Sequence, residues 1–314
     1  MDLKVIGGTV AAIAVATAIL CLIGGRTRRG WGAGSWAILL ALAAAPLAAD
    51  RPLPTNEWPN IHTTGDEQRV LLAGVPLAIL AAAASGKRVP AFVRGTLALL
   101  APPAILYWVL KGYPIPPLDN WPTRLAVPGA ISLVLWLLIE PLAVRKPTGI
   151  AGPWICGCLA AGVGLLNLFS ADTSPGWVAV ALGGAIGGTF LFALTGRGPS
   201  FAGGPVAVIV PLLVCLVMAN RINDATDVPT WQWLLLTAAP AAAWLVELRP
   251  MKHWTPWLRE PLRMALVAVP VVIAVVPAAK RSAKEQSGDG GDAAGWSMVM
   301  PASPTVEHTV AIPV

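Results

Sequence analysis

The stretch LAVPGAISLVLWLLIEPLA, residues 125–143, decides how this chain must be read. It carries one charged residue, Glu140, close to its end, and the basic pair Arg145 and Lys146 follows directly. About 20 consecutive apolar residues are needed to cross the roughly 30 Å of hydrocarbon in a bilayer. One such run also suits a buried core helix, but here the pattern recurs along the chain. Apolar blocks at 5–24, 33–49, 69–85, 91–110, 152–169, 176–195, 201–219, 230–248 and 262–279 bring the number to ten. The expected fold is therefore all-α: a polytopic transmembrane helix bundle of about ten spans over residues 1–279, with short loops. A flexible tail, 280–314, follows it.

Composition agrees with this. Hydrophobic residues make up 56% of the chain and charged residues only 12%, where an ordinary soluble domain carries about 25% charged residues. The net charge of +6 is spread over connectors. No basic stripe with interleaved aromatics exists, so nucleic acid is not an expected partner. The first block has only Lys4 before it, while Arg26, Arg28 and Arg29 come after it. That order suits a retained first helix better than a cleaved leader. Cys21, Cys156, Cys158 and Cys215 all fall inside apolar blocks and read as small buried hydrophobes.

The connectors fall into two classes. Those after the odd-numbered blocks hold Arg26, Arg28, Arg29, Lys87, Arg88, Arg94, Arg145, Lys146, Arg197, Arg249, Lys252, Arg259 and Arg263 against Glu140, Glu247 and Glu260. Those after the even-numbered blocks hold Arg51, Arg69, Lys111, Arg124 and Arg221 against eight acidic residues. Basic loops stay on the cytoplasmic side, so the first class is expected there. The short loops point to a bacterial cytoplasmic membrane. Lys280, Arg281 and Lys284 beside the last block pull the other way. Beyond them, Ser282 to Gly295 has the composition of a linker, and Pro301, Pro304 and Pro313 interrupt the apolar end of the tail.

Fourteen tryptophans, many at block boundaries, read first as an interfacial aromatic belt. The Pro/Trp turn at Pro52–Pro59 can be laid beside Pro114–Pro122 with one insertion. A duplicated helical hairpin of the kind found in transporters gives that pattern, and so does a stiff interfacial turn.

Candidate chemistry sits at the ends of the blocks. His62, Asp66 and Glu67 form the densest polar patch, and His62 and Asp66 are four apart, on one face if helical. A carboxylate beside a histidine prepares it for proton transfer; a solvated loop capping the next helix accounts for the same residues. Asp119 and Trp121 suit a cation or a sugar-like headgroup, or a plain turn among prolines. Asn167 and Asn220, with Asp224 close after, would line a vestibule if their helices meet, or serve as interhelical hydrogen-bonding groups. Gly183 with Gly187 and Gly184 with Gly188 form small-xxx-small pairs for close helix crossing; the functional version is an unwound segment offering carbonyls to a substrate. No ionisable residue lies at the centre of any block, which argues against an ion pump. No metal site or cofactor motif is present in the sequence.

Three functional classes remain: a small-solute carrier or permease; a membrane enzyme working at the outer face on a lipid or headgroup, with His62, Asp66, Glu67, Asp119 and Asp224 as acid, base or cation-holding groups; and an accessory subunit of a membrane complex. Expected partners are membrane lipids, with a small polar solute or protein partners in addition. The carrier reading leads.

Overall fold

The computed structural model describes residues 13–17, 19, 73, 74, 76, 77, 90–110, 121–145, 150–169, 174–194, 201, 204–222, 228–248, 251 and 254–288. Seven helices carry the described fold: α1 (Ala91–Leu110), α2 (Trp121–Arg145), α3 (Ala151–Leu168), α4 (Ser174–Phe192), α5 (Val206–Ile222), α6 (Thr230–Ala242) and α7 (Pro256–Gly288). A 3-10 segment, Ala243–Glu247, continues α6. No strand occurs among the described residues.

Among the described residues, four stretches are long and apolar enough to cross a membrane: Ala91–Val109, Leu125–Val144, Ala151–Leu168 and Trp257–Lys284. Gly176–Phe192 and Val206–Met218 are apolar but shorter. Large apolar side chains stand on the outside of the helices: Phe92, Leu100, Val134, Leu137, Val272 and Ile273 are all at least half exposed. Large apolar faces of this kind are rare on soluble monomers and suit contact with lipid. Of the ten apolar blocks, those at 5–24, 33–49 and 69–85 lie largely outside the described residues.

Helices α3 and α4 form a closely packed antiparallel hairpin, and its register is set by small residues. A Cβ on Gly157 would meet Ile186 and one on Gly183 would meet the Ala160–Ala161 backbone. Gly164 lies against Val180, and Gly176 against Leu168. At Gly164 the Val180 Cγ2 and amide nitrogen are only 2.6 and 2.8 Å from where a Cβ would stand, so the glycine lets the two helices come close. The other side of α3 carries Gly162, whose missing Cβ makes room for Leu236 of α6 and Val271 of α7. Tryptophan hydrogen bonds tie the same layer together: Trp154 Nε1 donates to the Met264 carbonyl at 3.0 Å, and Trp244 Nε1 to the Leu138 carbonyl at 2.9 Å.

α1 and α2 also run antiparallel. Pro103 has no amide hydrogen, which leaves the Leu99 carbonyl without its helical donor, and Gly129 of α2 sits against that carbonyl, 2.6 Å from its own missing Cβ position. α5 occupies the middle and packs against α1, α2, α3 and α4. Every residue from Val206 to Val217 is buried. A helix apolar on all sides belongs inside a bundle.

The apolar block at 201–219 starts its helix only at Val206, because Gly203, Gly204 and Pro205 precede it. The Pro205 carbonyl then accepts from the amides of Val208 and Ile209, and Phe201 is buried against Gly152 instead of joining the helix. α7 begins earlier and ends later than the apolar run 262–279. Pro256 suits a first turn, where its missing amide costs nothing, and the Thr255 carbonyl accepts from Leu258 and Arg259.

Candidate functional site

Two features stand out: an apolar cavity and, at one end of the bundle, buried ion pairs. The cavity lies between α2, α3, α5 and α6. Residues one helical turn apart supply its walls: Ile131 and Leu135, Leu159 and Val163, Val210 and Val214, Trp233 and Thr237. Its volume is about 80 Å³. It is not sealed, since Leu234 on its rim is 63% exposed. Polar groups are few. The Thr237 hydroxyl donates to the Leu234 carbonyl at 2.9 Å, and Trp233, only 4% exposed, has an indole Nε1 with no hydrogen-bond partner.

Next to Trp233 stands Gln232, fully buried. Its Oε1 accepts from Arg281 Nη2 at 3.1 Å, while its Nε2 has no partner. This contact joins the first turn of α6 to the far end of α7.

The opposite end of α6 and the start of α7 are joined by charge. Glu247 Oε1 accepts from Arg259 Nη2 at 2.5 Å and also from Arg263 Nη2, and Arg263 Nη1 donates to Glu260 Oε2 at 2.6 Å. At the same end of the bundle Arg94 of α1 pairs with Glu140 of α2 at 3.2 Å. Arg145, Lys146 and Arg249 are nearer to these carboxylates in sequence, and their side chains lie outside the described ones; among those described, Arg94 meets Glu140 and Arg259 and Arg263 meet Glu247 from other helices. Among the described residues two arginines stand against two glutamates in this cluster, which fastens the end of the α6 segment to the start of α7.

Of the candidate residues, His62, Asp66, Glu67, Asp119 and Asp224 lie outside the described residues. Trp121 opens α2 and Asn220 is in the last turns of α5. Asn167 is fully buried near the end of α3. Gly183 faces α3, whereas a Cβ on Gly187 would meet nothing within 4 Å, and Gly188 abuts the Ala14 carbonyl. The two small-residue pairs therefore serve different neighbours. No cluster of metal-binding side chains occurs among the described residues.

The cavity and Gln232 were not among the sequence candidates. Their only sequence signal is apolar residues four apart on several helices, and that spacing is shared by every buried helix. No protein-family model, no curated protein and no solved structure matches the chain.

Proposed function

We propose that the chain is a polytopic protein of a bacterial cytoplasmic membrane and that it works as a carrier for an apolar or amphiphilic solute admitted sideways from the lipid. The observation that carries this reading is the cavity, walled by four helices and reaching the exposed rim at Leu234. A binding cleft between helices, mostly apolar with few polar groups, is the common form of a small-molecule site. The solute class narrows accordingly, since a lining of aliphatic side chains offers almost nothing to a strongly polar compound.

α6 with its 3-10 extension contributes to the same reading. Rises of about 1.5 Å per α-helical residue and about 2.0 Å per 3-10 residue give Thr230–Glu247 a length of roughly 30 Å, one hydrocarbon thickness. In this orientation the end bearing Arg94, Arg259 and Arg263 faces the cytoplasm.

The test fills the cavity. Val214 is 3% exposed and lines it, so Val214→Trp places an indole in the space. Wild-type protein in liposomes is expected to speed the transbilayer movement of a short-chain fluorescent amphiphile over protein-free liposomes. The variant, checked for an unchanged helical spectrum, is expected to return to the protein-free rate. A wild-type rate equal to that of empty liposomes would remove the carrier reading.

A further inference from the structure

The cavity has a floor and a mouth. Leu159, Val163, Val210, Leu213, Val214 and Leu236 form the floor, and none of them is more than 4% exposed. Ile131 of α2, Met218 of α5, and Leu234 and Thr237 of α6 form the mouth, and each is partly or fully exposed. Leu234 belongs to the outer stripe of α6, with Trp231, Ala238, Ala241 and Leu245, all exposed and apolar. The mouth therefore opens on a surface suited to lipid, and hydrocarbon is what it meets. Inside, nothing holds a polar group: the Thr237 hydroxyl already donates to the Leu234 carbonyl, and the Trp233 indole N–H is enclosed within the wall.

On the proposed reading that the cavity admits a solute from the lipid, we infer that it holds one unbranched hydrocarbon chain, the acyl chain of a lipid in the leaflet at the α6 N-terminal end, and that it excludes rings. Size and shape carry this. An apolar cavity of about 150 Å³ takes a benzene ring, whereas this one has about 80 Å³. It is nonetheless long: its α5 wall runs from Val210 to Met218, about 12 Å along the helix. A small volume drawn out over that length is narrow, and a chain of methylene groups is the narrow form of hydrocarbon. Depth fits as well. Counted from Ile222, the last residue of α5, Met218 lies roughly 6 Å and Val210 roughly 18 Å along the axis, close to the span of one leaflet in a core about 30 Å thick. A lipid of that leaflet reaches the floor with its chain while its headgroup stays outside the helices. Met218, unbranched and adaptable, stands where the chain must pass. Selection then rests on the cross-section of the chain and is blind to the headgroup.

The experiment uses the full chain in phosphatidylcholine liposomes that carry a trace of photoreactive phosphatidylcholine. In one probe an aliphatic diazirine lies within an unbranched acyl chain; in the other the diazirine is borne on a phenyl ring that ends the chain. Light expels nitrogen from either and leaves a carbene that inserts into a neighbouring C–H bond, and mass spectrometry of peptides locates the adducts. The first probe is expected to label the floor at Leu159, Val163, Val210 or Val214, in addition to exposed side chains such as Phe92 and Val272. The phenyl probe should label Phe92 and Val272 equally but the floor roughly five- to hundredfold less, from the overpacking a ring imposes. Val214→Trp should abolish the floor adducts of the first probe and keep the outer ones. Leu234→Trp, at an exposed position that leaves the floor packing alone, should reduce them too. Adducts confined to exposed side chains in wild type overturn the chain site, and equal floor labelling by both probes overturns selection by cross-section. Selective floor labelling in protein that moves no amphiphile across liposomes supports the chain site and removes the carrier reading, so the two fail separately.

Discussion

At the scale of single residues, glycine decides how near two helices come. Gly129 and Gly187 are both helical glycines in apolar blocks, and the small-xxx-small spacing marks Gly187, not Gly129, for close packing. Gly129 faces the Leu99 carbonyl, with Pro103 Cγ at 3.2 Å from its missing Cβ, while Gly187 faces open space. Gly129→Ala should therefore lower stability by about 1–3 kcal/mol through overpacking. Gly187→Ala should be neutral or raise stability by up to about 1 kcal/mol, the propensity difference between the two residues in a helix. Thermal midpoints of both variants in one detergent check the pair, and equal midpoints would contradict the α1–α2 contact.

At the scale of elements, α6 and α7 are fastened at both ends by different chemistry: Glu247 with Arg259 and Arg263 at one, Gln232 with Arg281 at the other. Arg263 is 3% exposed, and removing one partner from a buried ion pair costs about 3–5 kcal/mol. Glu247→Gln and Arg263→Met should each produce a loss of that order in denaturation by detergent titration. Because the two act within one network, the double variant should lose clearly less than the two losses combined. Additive losses would mean that the two side chains act independently. Such pairings were hidden from the sequence, which places acidic and basic residues near helix ends but says nothing of which helices become neighbours.

At the scale of the whole molecule, the helical class was legible because repeated apolar runs of about 20 residues match the thickness of a bilayer and suit little else. The stretch Ala151–Leu168 shows where legibility stops. Its apolar length is plain in the sequence, yet its glycines make room for Phe201, α4, α6 and α7, and only packing reveals that. The cavity was illegible for the same reason: it belongs to no single helix. Orientation follows from charge alone and is open to direct measurement. In a cysteine-free background, Lys284→Cys should react with a membrane-impermeant maleimide added to intact cells. Thr255→Cys, exposed at the other end of α7, should react only after permeabilisation. The reverse pattern would invert the proposed topology.

The enclosure of α5 bears on the order in which the protein is made. A ribosome releases α1, α2, α3 and α4 before α5, yet all four pack around it. Until that helix arrives, the site it will occupy has to hold something else, and in a membrane the available filler is lipid. Insertion of α5 is then an exchange, in which loosely associated early helices part, surrender their lipid and close around a latecomer. Maturation of this bundle should accordingly lag behind synthesis of its first four described helices and be completed only when the fifth has entered.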